Sequence, residues 1–155
     1  MKKVLLAVLL LAMVLLPATA AERASKTDLA VGLNLGTNTG VGVQYRMNDL
    51  DVIGNIGFDF FNGVTFVFDA AANYKVAEFS IDTLDFDVTV GGGVAMGVGD
   101  NFDFGLIIPA GVVYHLDNND LPLDFYLRTG PVIRFVQGDK KPFGWYGALG
   151  ALWRL

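Results

Sequence analysis

The feature that most restricts the fold is an alternation of residue types, seen clearly in GGGVAMGVGDNFDFGLIIPAGVVYH (91–115). One set of alternate positions in this segment carries mostly glycine, together with Asp103 and His115. The other set carries large apolar residues, among them Phe102 and Phe104. Successive side chains of a β-strand point to opposite faces. The segment therefore predicts two strands with their bulk on one face and their glycines and charges on the other.

The same alternation recurs along the chain from residue 28, interrupted by turn residues. The predicted strands are 28–36, 41–47, 50–61, 64–76, 84–98, 102–116, 123–136 and 143–155. The predicted connections are 37–40, 48–49, 62–63, 77–83, 99–101, 117–122 and 137–142. Asn62-Gly63 is a strong two-residue hairpin signal, and no segment shows a helical period. The sequence predicts an all-β fold, an eight-stranded antiparallel up-and-down transmembrane β-barrel.

The N-terminus has the composition of a secretory signal peptide. Lys2 and Lys3 precede an apolar run from Val4 to Leu16, and Ala18-Thr19-Ala20 suits a small-x-small cleavage site. That run is too short to span a bilayer of ~30 Å as a helix. We therefore predict a cleaved signal peptide at 1–20, a short segment at 21–27 and a barrel domain at 28–155.

Composition excludes several classes of function. Loss of Lys2 and Lys3 with the signal peptide changes the formal charge from −5 to −7, which argues against nucleic acid as a partner. The chain has no cysteine, so no disulfide stabilises it. It is 53% hydrophobic with 19 glycines, an unusual combination for a soluble domain.

The charged residues of the predicted strands share one face, and the large apolar residues occupy the other. A membrane barrel turns such an apolar face towards lipid and keeps charge in its lumen. The predicted lumen charge network comprises Arg46, Asp59, Asp69, Lys75, Asp85, Asp87, Asp103, Asp124, Arg128 and Arg134. The same inward set includes Asp28, Asp51, His115 and Arg154.

Aromatic residues of the apolar face fall at two heights. With both termini in the periplasm, the periplasmic belt comprises Tyr45, Tyr74, Phe86, Tyr114, Phe125 and Trp153. The opposite belt comprises Phe58, Phe60, Phe66, Phe102, Phe104, Phe135 and Trp145. Two aromatic belts around an aliphatic band are typical of a protein that spans a bilayer.

The eight amphipathic strands and the final YGALGALWRL (146–155) resemble the small outer-membrane barrels of the OmpA transmembrane-domain and OmpX type. The stretches GLIIPAGVVYHL (105–116) and LPLDFYLRTGPVIRF (121–135) are most similar to a family of small outer-membrane proteins found in spirochaetes. The resemblance implies location in the cell outer membrane. It also implies a C-terminal assembly signal, here Leu149, Ala151, Trp153 and Leu155, read by the barrel-assembly machinery, although the last residue departs from the usual Phe.

Three functional readings follow from these patterns. The first is a structural outer-membrane barrel, monomeric and in contact with outer-membrane lipid, whose lumen is plugged by ion pairs. The second is a narrow cation-preferring pore for small solutes, suggested by the glycines and aspartates of the inward face. The third is a soluble lipocalin-like binding barrel, which has the same strand count but requires the opposite orientation of the two faces.

Chemical motifs are sparse. His115 is the single histidine, and its spacing from Ser80 does not indicate a nucleophile–base pair. No cluster has metal-site spacing and no glycine loop suits a phosphate. We therefore predict no enzyme activity and no cofactor. Lys140 and Lys141 in the predicted connection 137–142 are expected to form a charged, solvated turn, or to contact lipopolysaccharide phosphates or anionic headgroups.

Overall fold

A computed structural model describes residues 29–61, 65–118, 121–136 and 140–155. These residues form strands and turns, and no helix. The strands are β1 (Leu29–Gly36), β2 (Thr39–Met47), β3 (Leu50–Asp59), β4 (Thr65–Ile81), β5 (Leu84–Val98), β6 (Phe102–Ile107), β7 (Ala110–Asn118), β8 (Leu121–Val136) and β9 (Phe143–Arg154). The predicted signal peptide, the segment 21–27, Asp28 and the Asn62-Gly63 turn lie outside the described residues.

The strands form one antiparallel sheet that closes in a ring. Each strand from β1 to β5 pairs with the next along the chain, and β8 pairs with β9. The ring is closed by β1 and β9, which pair from Ala30 with Arg154 to Gly36 with Ala148. The prediction of an all-β, antiparallel architecture is thereby confirmed, with nine strands closing in a ring.

The predicted strand 102–116 is divided in two, which corrects the count of eight. It is interrupted at Ile108 and Pro109, so that β6 and β7 lie end to end between β5 and β8. Proline has no backbone N–H to donate to a ladder. Two backbone hydrogen bonds outside the regular ladders hold the break against its neighbours. Gly91 N donates to Pro109 O at 2.7 Å, and Ile108 N donates to Pro131 O at 3.1 Å.

The predicted connection 77–83 is also wrong, because most of it is strand. β4 and β5 pair as far as Ile81 with Leu84, and the turn is Asp82-Thr83. Asp82 has a φ of 55°, a left-handed conformation that aspartate tolerates better than most residues. Val76 is an extra residue in a β-bulge, after which Ala77 pairs with Val88. Because of this one extra residue, odd-numbered positions face inward before Val76 and even-numbered positions face inward after it. The alternation in the sequence is therefore interrupted within a continuous strand.

The two faces of the closed sheet differ as the alternation predicts. The inner face holds small and polar residues together with a few large apolar ones, such as Ile53, Ile107 and Leu152, all nearly inaccessible. Large apolar side chains are exposed on the outside, for example Leu33 at 66% and Leu127 at 53%. Among the described residues, no helix has the length and apolarity needed to cross a membrane.

Candidate functional site: the interior of the ring

The interior has two ends, which we name by the chain segments found there. At the terminal end lie Leu29, the start of β1, the Asn48-Asp49 and Asp82-Thr83 turns, and Arg154, the end of β9. At the far end lie the turns around Thr37 and Asp100. Inward-facing charged and amide side chains occupy both ends and the middle between them.

Asp124 is the centre of the terminal-end network. It is 1% exposed, and its carboxylate contacts three basic side chains. The distances are 2.7 Å to His115 Nδ1, 2.8 Å to Arg46 Nη2 and 3.4 Å to Arg154 Nε. These partners come from β7, β2 and β9, so the network joins strands on different sides of the ring. It places paired charges across the interior at this end.

The same network continues towards the rim. His115 Nε2 lies 3.2 Å from Asp87, so the imidazole ring is held between two carboxylates. Lys75 Nζ contacts Asp87 at 2.7 Å and Glu78 at 2.6 Å. Lys75 lies at the rim, where the hairpin of β4 and β5 leaves the ring. Its hydrogen bond to Asp87, and to a smaller extent its hydrogen bond to Glu78, raises the pKa of its ammonium group. Lys75 therefore stays charged.

Arg128 occupies the middle of the interior and is 1% exposed. Its guanidinium lies 4.5 Å from the centre of the Tyr126 ring and 3.9 Å from the Asp51 carboxylate. Tyr126 in turn donates a hydrogen bond of 2.8 Å to Asn34 Oδ1. Asp51 also contacts Arg46 Nε at 3.3 Å, which links Arg128 to the terminal-end network.

The far end contains a second set of charges. Asp69, also 1% exposed, accepts hydrogen bonds from Asn38 Nδ2 at 2.6 Å and from Asn55 Nδ2 at 2.8 Å. Asp103 contacts Lys140 Nζ at 3.0 Å and Arg134 Nε at 3.7 Å. Lys140, Asp103 and Arg134 line a cavity of about 50 Å³.

Opposite charges are balanced inside the ring. Among the described residues, the inward carboxylates are Asp51, Asp59, Asp69, Asp87, Asp103 and Asp124. The inward cations are Arg46, Lys75, Arg128, Arg134, Lys140 and Arg154. Among the residues that the structure describes, the two sets are equal in size, so buried carboxylates and buried cations are available to pair with each other.

The structure places most residues of the predicted charge network inside the ring, but in separate groups. Arg46, Lys75, Asp87 and Asp124 belong to the terminal-end network, Arg128 lies in the middle, and Asp59, Asp69, Asp103 and Arg134 lie at the far end. Asp85 is different. It is exposed on the hairpin beyond the ring, where it accepts a 2.5 Å hydrogen bond from the Ser80 hydroxyl.

Sequence inspection missed several interior residues. Lys140 was expected in a solvated tip but points into the far end, whereas Lys141 is exposed. Asn34, Asn38 and Gln44 are each 1% exposed. Asn34 and Gln44 sit at inward positions of β1 and β2, so the alternation itself was a usable signal. Asn38 and Lys140 lie in connections, where no periodicity exists to reveal them.

The aromatic residues of the two predicted belts lie on the outer face. At the terminal end the rings of Phe86 and Tyr114 are 5.4 Å apart, and Tyr114 pairs with Phe125 across β7 and β8. At the far end the rings of Phe58 and Phe66 are 5.8 Å apart. The remaining terminal-end residues of the predicted belt are Tyr45, Tyr74 and Trp153, of which Tyr74 is 53% and Trp153 44% exposed. The remaining far-end residues are Phe60, Phe102, Phe104, Phe135 and Trp145.

The last strand carries the predicted assembly signal on the same outer face. Leu149 and Trp153 are 52% and 44% exposed, and Ala151 lies between them. Leu155 follows the strand, and its backbone N–H donates to Leu29 O at 2.9 Å. The C-terminal residue is thus tied to the first described residue of β1.

Ser80 and His115, the two residues weighed for a nucleophile–base pair, are each bonded to carboxylates. Ser80 donates to Asp85, and His115 contacts two aspartates and Arg46. Within the part of the chain that the structure describes, no group of three or more His, Cys, Asp or Glu residues is arranged to hold a metal ion. The interior is therefore best described as an assembly of ion pairs and amides.

Comparison with protein-family models, with curated proteins and with solved structures gave no match to this chain.

Proposed function

We propose that this protein is an outer-membrane β-barrel whose charged interior is filled, and that its role in the outer membrane is structural. One observation carries the proposal: around a closed ring of strands, large apolar side chains are exposed outside while charged side chains are buried inside. Soluble monomers rarely expose contiguous apolar patches larger than a few hundred Å². A bilayer is the solvent that favours this arrangement.

Closure of the ring supports the proposal independently. Lipid offers no hydrogen-bond partner to backbone N–H and C=O groups, so strands cross a membrane only in a closed sheet without free edges. The pairing of β1 with β9 removes those edges from the wall. A closed wall also favours a monomer, because it leaves no strand of the wall available for pairing with a second chain.

The outer aromatics match the two interfaces of a bilayer. Trp153 lies at the terminal end and Trp145 at the far end, eight residues apart on β9. At ~3.3 Å per residue and a tilt of about 40°, this separation corresponds to roughly 20 Å along the membrane normal. It is close to the ~25 Å height of the apolar band in outer-membrane barrels.

The balance of interior charge favours a plugged barrel. Ion pairs cross the interior at both ends: Arg46 of β2 contacts Asp124 of β8 at one end, and Lys140, in the connection between β8 and β9, contacts Asp59 of β3 at the other. Such pairs fix the relative positions of the strands. The excess of aspartate that suggested a cation-preferring pore is offset by basic side chains from β2, β4, β8 and β9 and by Lys140.

The pore remains the second candidate, because the middle of the interior holds buried polar atoms that make no hydrogen bond to a described residue. They belong to Gln44, Asn73, Thr89 and Arg128. Polar groups of this kind are normally satisfied by water. A continuous file of water between the two ion-pair clusters is what conduction of a small solute requires.

The soluble lipocalin-like alternative requires the large apolar side chains to point inward. Here Leu33, Leu127 and Trp145 point outward, and the buried positions include Asp69, Asp124 and other charged residues. This orientation favours the membrane proposal over the soluble one. Export through the signal peptide at 1–20, and recognition of Leu149 to Leu155 by the barrel-assembly machinery, belong to the same proposal.

The experiment is solute and ion efflux from liposomes that carry the refolded chain 21–155. Folding is established first by the heat-dependent change in gel mobility that closed barrels show. We expect folded protein and no efflux above that of empty liposomes. If cation-selective efflux occurs, and if it falls in Asp87→Asn but not in the exposed Asp85→Asn, the protein is a pore and the structural role is rejected. Protein that is β-rich and soluble without detergent would contradict both membrane readings.

A further inference from the structure

Lys140 is placed unusually for a lysine in a connection between strands. Its side chain is 18% exposed, and its Nζ lies 3.0 Å from Asp103 Oδ2 and 3.5 Å from Asp59 Oδ2. The next residue, Lys141, is exposed. Lysine head groups normally remain in water. The inward ammonium of Lys140 therefore marks a position at the far end where a cation is favoured.

The acceptors at this position belong to the ring rather than to the connection that carries Lys140. Asp59 is the last residue of β3 and Asp103 lies near the start of β6, each fixed by strand pairing. Gly97 pairs with Asp103, and a side chain at Gly97 would overlap that carboxylate. The backbone positions of the two aspartates are thus set by strand pairing and not by the connection that carries Lys140.

A further acceptor residue lines the same cavity. Asn38 is 1% exposed and lines the cavity of about 50 Å³, together with Lys140, Asp59, Asp69 and Asp103. Its Nδ2 donates to Asp69, but its Oδ1 receives no hydrogen bond from a described residue. A buried carbonyl oxygen in this state is costly unless it accepts a hydrogen bond. The cavity therefore offers carboxylate and amide oxygens to a donor.

We infer that the far end of the interior is a binding site for small primary ammonium ions, and that Lys140 fills it with its own side-chain ammonium. An –NH₃⁺ group has three donors and no acceptor. It therefore suits a position beside the Asp59 and Asp103 carboxylates, which accept its hydrogen bonds and neutralise its charge. The inference does not rest on the membrane proposal, because the site is formed inside the ring whatever surrounds it.

The test is chemical rescue of Lys140→Ala by ethylammonium. Removal of Lys140 leaves Asp59 and Asp103 without this cation, so the midpoint of heat-dependent unfolding is expected to fall. Ethylammonium chloride is expected to raise that midpoint by roughly 4 °C at about ten times its dissociation constant, and to leave the wild type unchanged. Should Lys140→Ala not refold by itself, recovery of folded protein on refolding with ethylammonium is the corresponding result.

Controls separate this site from salt effects. Lys141→Ala, one residue away and exposed, is expected to show neither destabilisation nor rescue. Lys140→Ala combined with Asp103→Asn is expected to lose the rescue. Tetramethylammonium and potassium chlorides at equal concentration provide charge without N–H donors. Equal stabilisation by those salts, or no stabilisation by ethylammonium, would overturn the inference. If the chain proves to be soluble, the same measurements are made without detergent.

Discussion

Gly91 and Gly92 are neighbours in β5, yet the two residues face opposite sides of the sheet. A methyl group on Gly91 would overlap the Ala72 carbonyl oxygen and the Asn73 side chain, whereas nothing lies within 4 Å of the position of a Cβ on Gly92. The inward glycine is required by close approach of the neighbouring strand, and the outward one is not.

Gly91→Ala is therefore expected to lower the free energy of unfolding by about 1–3 kcal/mol, because the added methyl group must displace backbone. Gly92→Ala is the matched control and is expected to change it by less than about 0.5 kcal/mol. Urea unfolding of the refolded protein measures both. Equal effects of the two substitutions would mean that Gly91 does not face a crowded interior.

Asp124 and Asp85 form a second contrast between interior and exterior. Asp124→Asn leaves Arg46, Arg154 and His115 without their shared carboxylate, while the side chain keeps its shape. Breaking a buried pair in this way is expected to cost about 3 kcal/mol. Asp85→Asn alters an exposed residue bonded to Ser80, and its expected cost is below about 0.5 kcal/mol.

The same urea titration compares these two variants with the wild type. A loss of stability in Asp85→Asn as large as that in Asp124→Asn would show that the terminal-end network extends onto the hairpin. Unchanged stability in Asp124→Asn would show that the network does not hold the strands together.

At the scale of the strands, the hairpin of β4 and β5 projects beyond the terminal end of the ring. On the β3 side, pairing of β4 stops at Tyr74, yet β4 itself continues to Ile81. The outer face of this hairpin remains apolar, with the rings of Phe79 and Phe86 stacked at 5.2 Å. Leu127, by contrast, lies in the middle of the wall, paired with Val112 and Leu149.

An arginine should therefore be costly at Leu127 and tolerated at Ile81, although the two residues are similarly exposed, at 53% and 56%. Leu127→Arg places charge near the centre of the proposed apolar band, where the cost is about 2–4 kcal/mol, while Ile81→Arg at the hairpin tip is expected to cost below about 1 kcal/mol. The yield of folded protein in liposomes measures the difference. If Leu127→Arg inserts as efficiently as Ile81→Arg, the outer face does not contact lipid.

The strands were largely predictable because a narrow closed sheet imposes a period of two on every wall segment. β5 begins and ends where the alternation predicts, at Leu84 and Val98. The Val76 bulge and the break at Pro109 were not predictable in detail, since each depends on how the neighbouring strand is bonded. A single extra residue reverses the pattern that sequence inspection relies on.

The site was only partly predictable, for a related reason. The alternation predicts which residues face inward, but it does not predict which inward residues contact each other. Arg46 and Asp124 are 78 positions apart, and their contact depends on the closure of the ring. Lys140 lies in a connection, so its inward direction follows from the far-end carboxylates and not from any local pattern.

At the scale of the whole ring, the described residues place charged side chains inside and large apolar side chains outside, the reverse of a soluble domain. Two tryptophans, Trp145 and Trp153, report on that exterior at its opposite ends, and they are the only tryptophans in the sequence. Both are outward, at 66% and 44% exposure. The variant Trp153→Phe keeps only Trp145 and reports on the far end of the ring. The variant Trp145→Phe keeps only Trp153 and reports on the terminal end.

The most direct measurement is quenching of each remaining tryptophan by brominated lipids in liposomes that carry the refolded protein. For an outer-membrane barrel, both tryptophans should be quenched, more strongly by bromine near the headgroup than by bromine near the chain ends, because each lies at one interface. Absence of quenching at either tryptophan, in protein whose folding is established by its gel mobility, would contradict the membrane-spanning account.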